Sequence, residues 1–135
     1  MPARQSRREF LRRAAAATAA AGVVLPAAAG GATRRIAANE RLDIGVVGVA
    51  ARGAANLHGV AHENIVALCD IDAQRLGEAA EKFPNARKYK DFRKLLETEE
   101  LDALVVSTPD HTHAMPVVRA LERGLDVYCE KPLAH

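Results

Sequence analysis

Leu42-Asp43-Ile44-Gly45-Val46-Val47-Gly48-Val49-Ala50-Ala51-Arg52-Gly53 is the stretch that decides the fold. An apolar run of strand length ends on a glycine, and a second glycine follows where a helical pattern begins. Such a run, without polar alternation, reads as a strand covered on both faces. The turn matches G-x-G-x-x-G with Ala50 at the middle position. Gly48 would make the tight turn, and Gly53 would let helix and strand approach closely. The middle glycine normally admits a pyrophosphate against bare backbone; the Ala50 methyl is tolerated if the ligand shifts slightly. Arg52 lies in the same turn, and the helix start offers N–H groups and partial positive charge to a diphosphate. Glycines also occur at strand–helix turns for steric reasons alone. Context favours the nucleotide reading: Asp70 stands 22 residues after Gly48, at the end of the next strand. A carboxylate there accepts hydrogen bonds from ribose hydroxyls and repels a 2′-phosphate, favouring NAD over NADP.

Outward from this turn, strands and helices alternate. A helix is expected from Gly53 to about His62, weakened by Gly59. Ile65–Cys69 reads as a second strand. Asp72 can cap a helix whose Leu76, Ala79, Ala80 and Phe83 share one face, stopped by Pro84-Asn85. A short strand around Arg87–Tyr89 and a brief helix using Phe92, Leu95 and Leu96 follow. Ala103–Ser107 is a fourth strand. Ala114, Val117, Val118 and Leu121 stripe a helix that Thr112 can cap and Gly124 can end. Asp126–Cys129 is a fifth strand. The fold class is α/β, a doubly wound parallel sheet of about five strands.

The whole chain has 135 residues, 49% hydrophobic and 27% charged, with a net charge of +2. These values exclude disorder and a disulfide scaffold. Low aromatic content without Trp argues against an aromatic platform for single-stranded nucleic acid. The basic charge is local, because residues 1–29 carry five arginines against one glutamate and the remainder is net acidic. It is therefore no sign of a nucleic-acid surface. Ser6-Arg7-Arg8-Glu9-Phe10-Leu11-Arg12 leads into an uncharged run from Ala14 to Leu25, then Pro26-Ala27-Ala28-Ala29. This order of basic region, apolar region and small-residue cleavage site predicts a secretory signal over 1–29, of twin-arginine type, followed by a linker over 30–41. As a helix the apolar run covers roughly 18 Å, short of a hydrocarbon core of about 30 Å. The alternative is a basic amphipathic start that stays on the chain. The export reading places the protein in the periplasm or otherwise outside the cytoplasm.

Two further loops follow the fourth and fifth strands: Ser107-Thr108-Pro109-Asp110-His111-Thr112-His113 and Tyr128-Cys129-Glu130-Lys131-Pro132-Leu133. Ligands of doubly wound sheets bind at the carboxyl ends of the strands, so both loops point at the crevice that holds Gly48. With the glycine turn and Cys69-Asp70-Ile71-Asp72, residues 42–135 closely resemble the NAD(P)-binding Rossmann domain of the Gfo/Idh/MocA oxidoreductases. The resemblance implies that Lys131 sits beside the nicotinamide and reaches a substrate hydroxyl. Thr108 and Pro109 would pass beneath the nicotinamide ribose, with His113, Glu130 and Pro132 completing the cofactor site. An ammonium at Lys131 could stabilise a developing alkoxide. Desolvation would lower its pKa, and Glu130, facing the same way, would raise it again. Pro132 is expected in a cis peptide. Without the resemblance, Glu-Lys-Pro is a charged turn after a strand.

The histidines of Asp110-His111-Thr112-His113 lack the partners of a metal set, so they read as helix-entry residues and no metal is expected. Cys69 and Cys129 end strands three positions apart, roughly 14 Å, against the 7 Å or so a disulfide allows, which predicts two free thiols. Members of the resembled family carry a second domain that supplies the substrate pocket and a base. Residues 42–135 hold no convincing base, so the chain is expected to be the N-terminal piece of a longer enzyme, inactive alone, with an open fifth-strand edge. Three readings compete. The first is the cofactor domain of an exported NAD-dependent sugar or polyol oxidoreductase. The others are a redox-assisted glycosidase of the same fold, and a non-catalytic nucleotide-binding fragment. The expected partners are a nicotinamide dinucleotide, a polyol or sugar once a second domain is present, the twin-arginine translocase and a further copy of the chain.

Overall fold

The computed structural model describes residues 40–133, so the signal segment and most of the linker lie outside the described residues. Five strands, β1 (Asp43–Val47), β2 (Asn64–Cys69), β3 (Arg87–Tyr89), β4 (Ala103–Val106) and β5 (Asp126–Cys129), form one parallel sheet in the order β3-β2-β1-β4-β5. Four helices connect them: α1 (Arg52–Gly59), α2 (Ala73–Lys82), α3 (Phe92–Thr98) and α4 (Ala114–Glu122). The order reverses between β1 and β4, and their carboxyl ends open onto one crevice.

Period-two alternation sends neighbouring strand residues to opposite faces. Ile44, Val46, Leu68 and Val105 pack with Leu57 of α1 and with Leu76 and Ala79 of α2. Val47, Ala67, Leu104 and Val106 pack with Leu95 and Leu96 of α3 and with Ala120 of α4. Leu68 and Leu104 are fully buried, and truncating either to alanine costs about 2–5 kcal/mol. Asp72 caps α2 as expected, accepting from the N–H groups of Gln74 and Arg75. On the far edge, the buried carboxylate of Glu99 takes Arg87 and Tyr89 of β3.

Two expectations change. Helix α1 stops at Gly59, short of His62, because glycine there favours unwinding once Leu57 is buried. Helix α4 is rotated from its expected stripe: Pro116 and Ala120 are buried and Val117 packs on the core as expected, while Ala114 is exposed and Val118 and Leu121 are half exposed. Its cap also differs. The Thr112 hydroxyl donates back to the Pro109 carbonyl, closing a 3-10 turn over Asp110–Thr112, and so is not available to α4. His113, buried at the helix start, lies on the same face as Pro116 and Ala120. At the other end Gly124 has φ +77, with Gly124 N–H to the Leu121 carbonyl and Leu125 N–H to the Ala120 carbonyl. That pair is the Schellman closure expected of a glycine after a helix. No helix among the described residues is long and apolar enough to cross a membrane.

Candidate nucleotide site

The crevice, about 670 Å³, is lined by Gly48, Ala50, Ala51, Arg52, Asp70, Ile71, Arg75, Lys90, Thr108 and Pro109, among others. That volume suits an organic cofactor. Its floor is the glycine turn. Gly48 has φ +86, and a Cβ on it would stand 2.6 Å from the Ser107 carbonyl oxygen. A Cβ on Gly53 would stand 2.1 Å from the Gly48 carbonyl oxygen. Both glycines are thus steric necessities, as their spacing predicts. Ala51 carries φ +49, a conformation that costs a non-glycine residue of order 1–3 kcal/mol.

Asp70 does two things in this loop. One carboxylate oxygen accepts the Val49 N–H at 3.0 Å and the other accepts the Asp72 N–H at 3.0 Å. The residue expected to read a ribose therefore also ties the glycine turn to the end of β2. The backbone N–H groups of Ala50, Ala51 and Arg52 find no acceptor among the described residues, which leaves donors at the start of α1 for an anion.

Just past β5, the Glu130 carboxylate accepts the Lys131 backbone N–H and otherwise turns to α1, away from the Lys131 ammonium. Its Oε1 accepts from Arg52 Nε at 2.9 Å, from Asn56 Nδ2 at 3.0 Å and from the Tyr128 hydroxyl at 3.3 Å. The hydrogen bond from Arg52, then that from Asn56, holds its carboxyl down at about 2. Arg52 is thereby committed to Glu130 while still lining the crevice. Asn56, absent from the sequence reading, also donates to Ser107 Oγ at 2.8 Å. Its signal was its spacing, since it shares a helix face with Arg52 and Gly53. Lys131 and Pro132 lie exposed after β5, joined by the expected cis peptide. Lys131 is not among the residues lining the crevice.

His113 departs from its expected place. It does not line the crevice; it is 1% exposed, with Nε2 2.7 Å from the Thr108 carbonyl oxygen and Nδ1 2.8 Å from the Pro132 carbonyl oxygen. Of the two loops it touches, only the Thr108 loop lines the crevice; Glu130 and Pro132, also expected there, do not. Cys69 and Cys129 are free thiols. Burial, then Asp70 and Asp91, push the Cys69 thiol up to about 12. No cluster of three metal-ligating side chains occurs among the described residues.

An NAD-sized ligand fits these residues. The Thr108 hydroxyl oxygen is buried with no hydrogen-bond partner among the described residues, in a residue that lines the crevice. Fold and site together define a dinucleotide-binding domain of the doubly wound class. Residues 42–135 match the oxidoreductase family GFO_IDH_MocA, which has an NAD-binding Rossmann fold, and the chain belongs to that family. Inositol 2-dehydrogenase of Rubrobacter xylanophilus is 39% identical over 100 residues, covering 71% of this chain and 28% of the relative. Among solved structures, myo-inositol 2-dehydrogenase from Lactobacillus plantarum superposes with TM-score 0.67 at 25% identity, over 70% of this chain and 29% of the other. Myo-inositol dehydrogenase from Lactobacillus casei, in complex with NAD(H) and myo-inositol, gives TM-score 0.62 at 33% identity over 70% and 29%. The chain thus spans under a third of the length of these relatives.

Proposed function

We propose that this domain serves an exported oxidoreductase that moves a hydride between a polyol or sugar carbinol and NAD. The observation that carries the proposal is the crevice itself, where Asp70, the open N–H groups of residues 50–52 and the orphaned Thr108 hydroxyl line one cavity. Asp70 would hold the adenosine ribose, and its charge disfavours a 2′-phosphate. The α1 start would take the diphosphate, and Thr108 with Pro109 would support the second ribose. A nicotinamide bound there supplies the two-electron acceptor. Lys131, just past β5, would hold the substrate hydroxyl and stabilise charge developing on its oxygen. Glu130, engaged by Arg52 and Asn56, leaves that ammonium unneutralised by its own neighbour.

The inositol dehydrogenases among the relatives support a polyol substrate, with further parts of the enzyme supplying the substrate pocket and the base. Arg7-Arg8 and the run from Ala14 to Leu25 support export through a twin-arginine translocase. Titration of the full chain with NADH and NADPH tests the binding. NADH is expected to bind at least about tenfold more tightly, given the repulsion of a 2′-phosphate by Asp70. Equal affinities, or none, would remove the proposal. Export is checked by fusing residues 1–41 to a reporter. Loss of periplasmic signal on changing Arg7 and Arg8 to lysine is the expected result.

A further inference from the structure

The β4–β5 ladder stops for a chemical reason. In a parallel pair, alternate residues of one strand supply N–H groups to alternate carbonyls of the other. Val106 pairs with Cys129, and the Glu130 N–H donates to the Val106 carbonyl at 3.0 Å. The next rung in that register would run from the N–H of residue 132 to the carbonyl of Thr108. Residue 132 is proline and has no N–H. The carbonyl left without its donor is the one His113 Nε2 meets at 2.7 Å, while Nδ1 meets the carbonyl of Pro132 itself at 2.8 Å.

We infer that His113 is a positioning residue whose ring replaces the missing rung, a clasp that holds the Thr108 loop, which lines the crevice, against the Lys131-Pro132 turn beside it. A hydrogen on Nε2 supplies the absent donor. Both neighbours are carbonyls, which only accept; a neutral ring holds one hydrogen, and on Nε2 it makes the rung to Thr108 while the ring stands between the two loops. The ring is buried, which keeps water from competing for either carbonyl. On α4 the ring shares its face with Pro116, Val117 and Ala120, so the anchor and the packed side of the helix coincide.

The inference rests on the dinucleotide reading for its functional consequence. With the diphosphate at β1 and the adenosine ribose over β2, the remaining nucleoside lies over β4 and β5. ADP therefore tests the half His113 does not touch, and NADH tests both. In the full chain, His113→Phe keeps a ring and removes the Nε2 donor. Expected are faster amide exchange at Glu130 and Lys131, NADH binding weaker by about tenfold, and ADP binding changed by less than about twofold. Equal weakening of both ligands, or unchanged exchange at Glu130 and Lys131, overturns the clasp. If the unsubstituted chain binds neither ligand, the dinucleotide reading fails, while the exchange comparison still decides the clasp. Should the variant not fold, ¹⁵N spectra of the unsubstituted histidines decide it: Nε2 of His113 must carry a hydrogen, and a bare Nε2 overturns the proposal.

Discussion

On the β1–β2 side of the crevice the backbone does most of the holding. The Gly48 N–H donates to the Cys69 carbonyl, the turn closes through Gly53 N–H to the Ala50 carbonyl, and one carboxylate, Asp70, ties in Val49. On the β4–β5 side, side chains reach across long sequence gaps instead: Glu130 to Arg52 and Asn56, His113 to Thr108 and Pro132. The first half is therefore intolerant of an added atom, whereas the second is sensitive to lost hydrogen bonds and to pH.

The largest effect is expected at Gly53. Gly53→Ala forces a methyl into the Gly48 carbonyl and should cost about 3 kcal/mol, read from urea unfolding. Gly48→Ala, strained by φ as well as by contact, should cost about 2 kcal/mol. Little loss at either position would show that the turn can relax and would erase the contrast between the halves. Asp70→Asn removes the charge proposed to face the ribose and should weaken NADH by about tenfold while leaving NADPH less affected.

Glu130→Gln probes the other half through pH. The carboxyl sits lower in the folded chain, at about 2, than the ordinary glutamate value near 4.3. Its stabilising contribution is thus complete above about pH 5 and is lost as pH falls through 4 toward 2. The variant should unfold at lower urea than the parent at pH 7, and the gap should close near pH 2; a constant gap would mean that packing, not charge, ties Glu130. The smallest effect is a gain. Ala51→Gly relieves a positive φ at some cost in chain entropy, for a net stabilisation of about 1 kcal/mol.

The same contrast governs what could be read from the sequence. Continuous apolar runs and helical spacing gave five strands, four helices and their order, because buried parallel strands leave little ambiguity in pattern. Gly48, Gly53 and Asp70 were legible because backbone geometry dictates residue type. Asn56 and the true partner of Glu130 were not, since a side chain reaching across more than seventy residues leaves no local periodicity. The α4 face was misplaced in part for a related reason: of Ala114, Val117, Val118 and Leu121 only Val117 packs on the core, and the buried face begins at His113, whose hydrogen bonds hydropathy does not register. Lys131 and Thr108 came from motif resemblance, and Thr108's unpartnered hydroxyl is visible only in the folded chain.

The sheet ends in two unlike margins. At β3 the outermost strand is three residues long and carries Arg87 and Lys88, with Arg87 and Tyr89 fastened to the buried Glu99. At β5 the outermost strand is Asp-Val-Tyr-Cys, with Tyr128 half exposed and Leu121 and Val118 uncovered on the neighbouring helix. In concentrated solution the two margins should respond to opposite additives. Salt would weaken the electrostatic repulsion that guards β3, whereas mild chaotropes would loosen whatever apolar surface packs against the β5 margin.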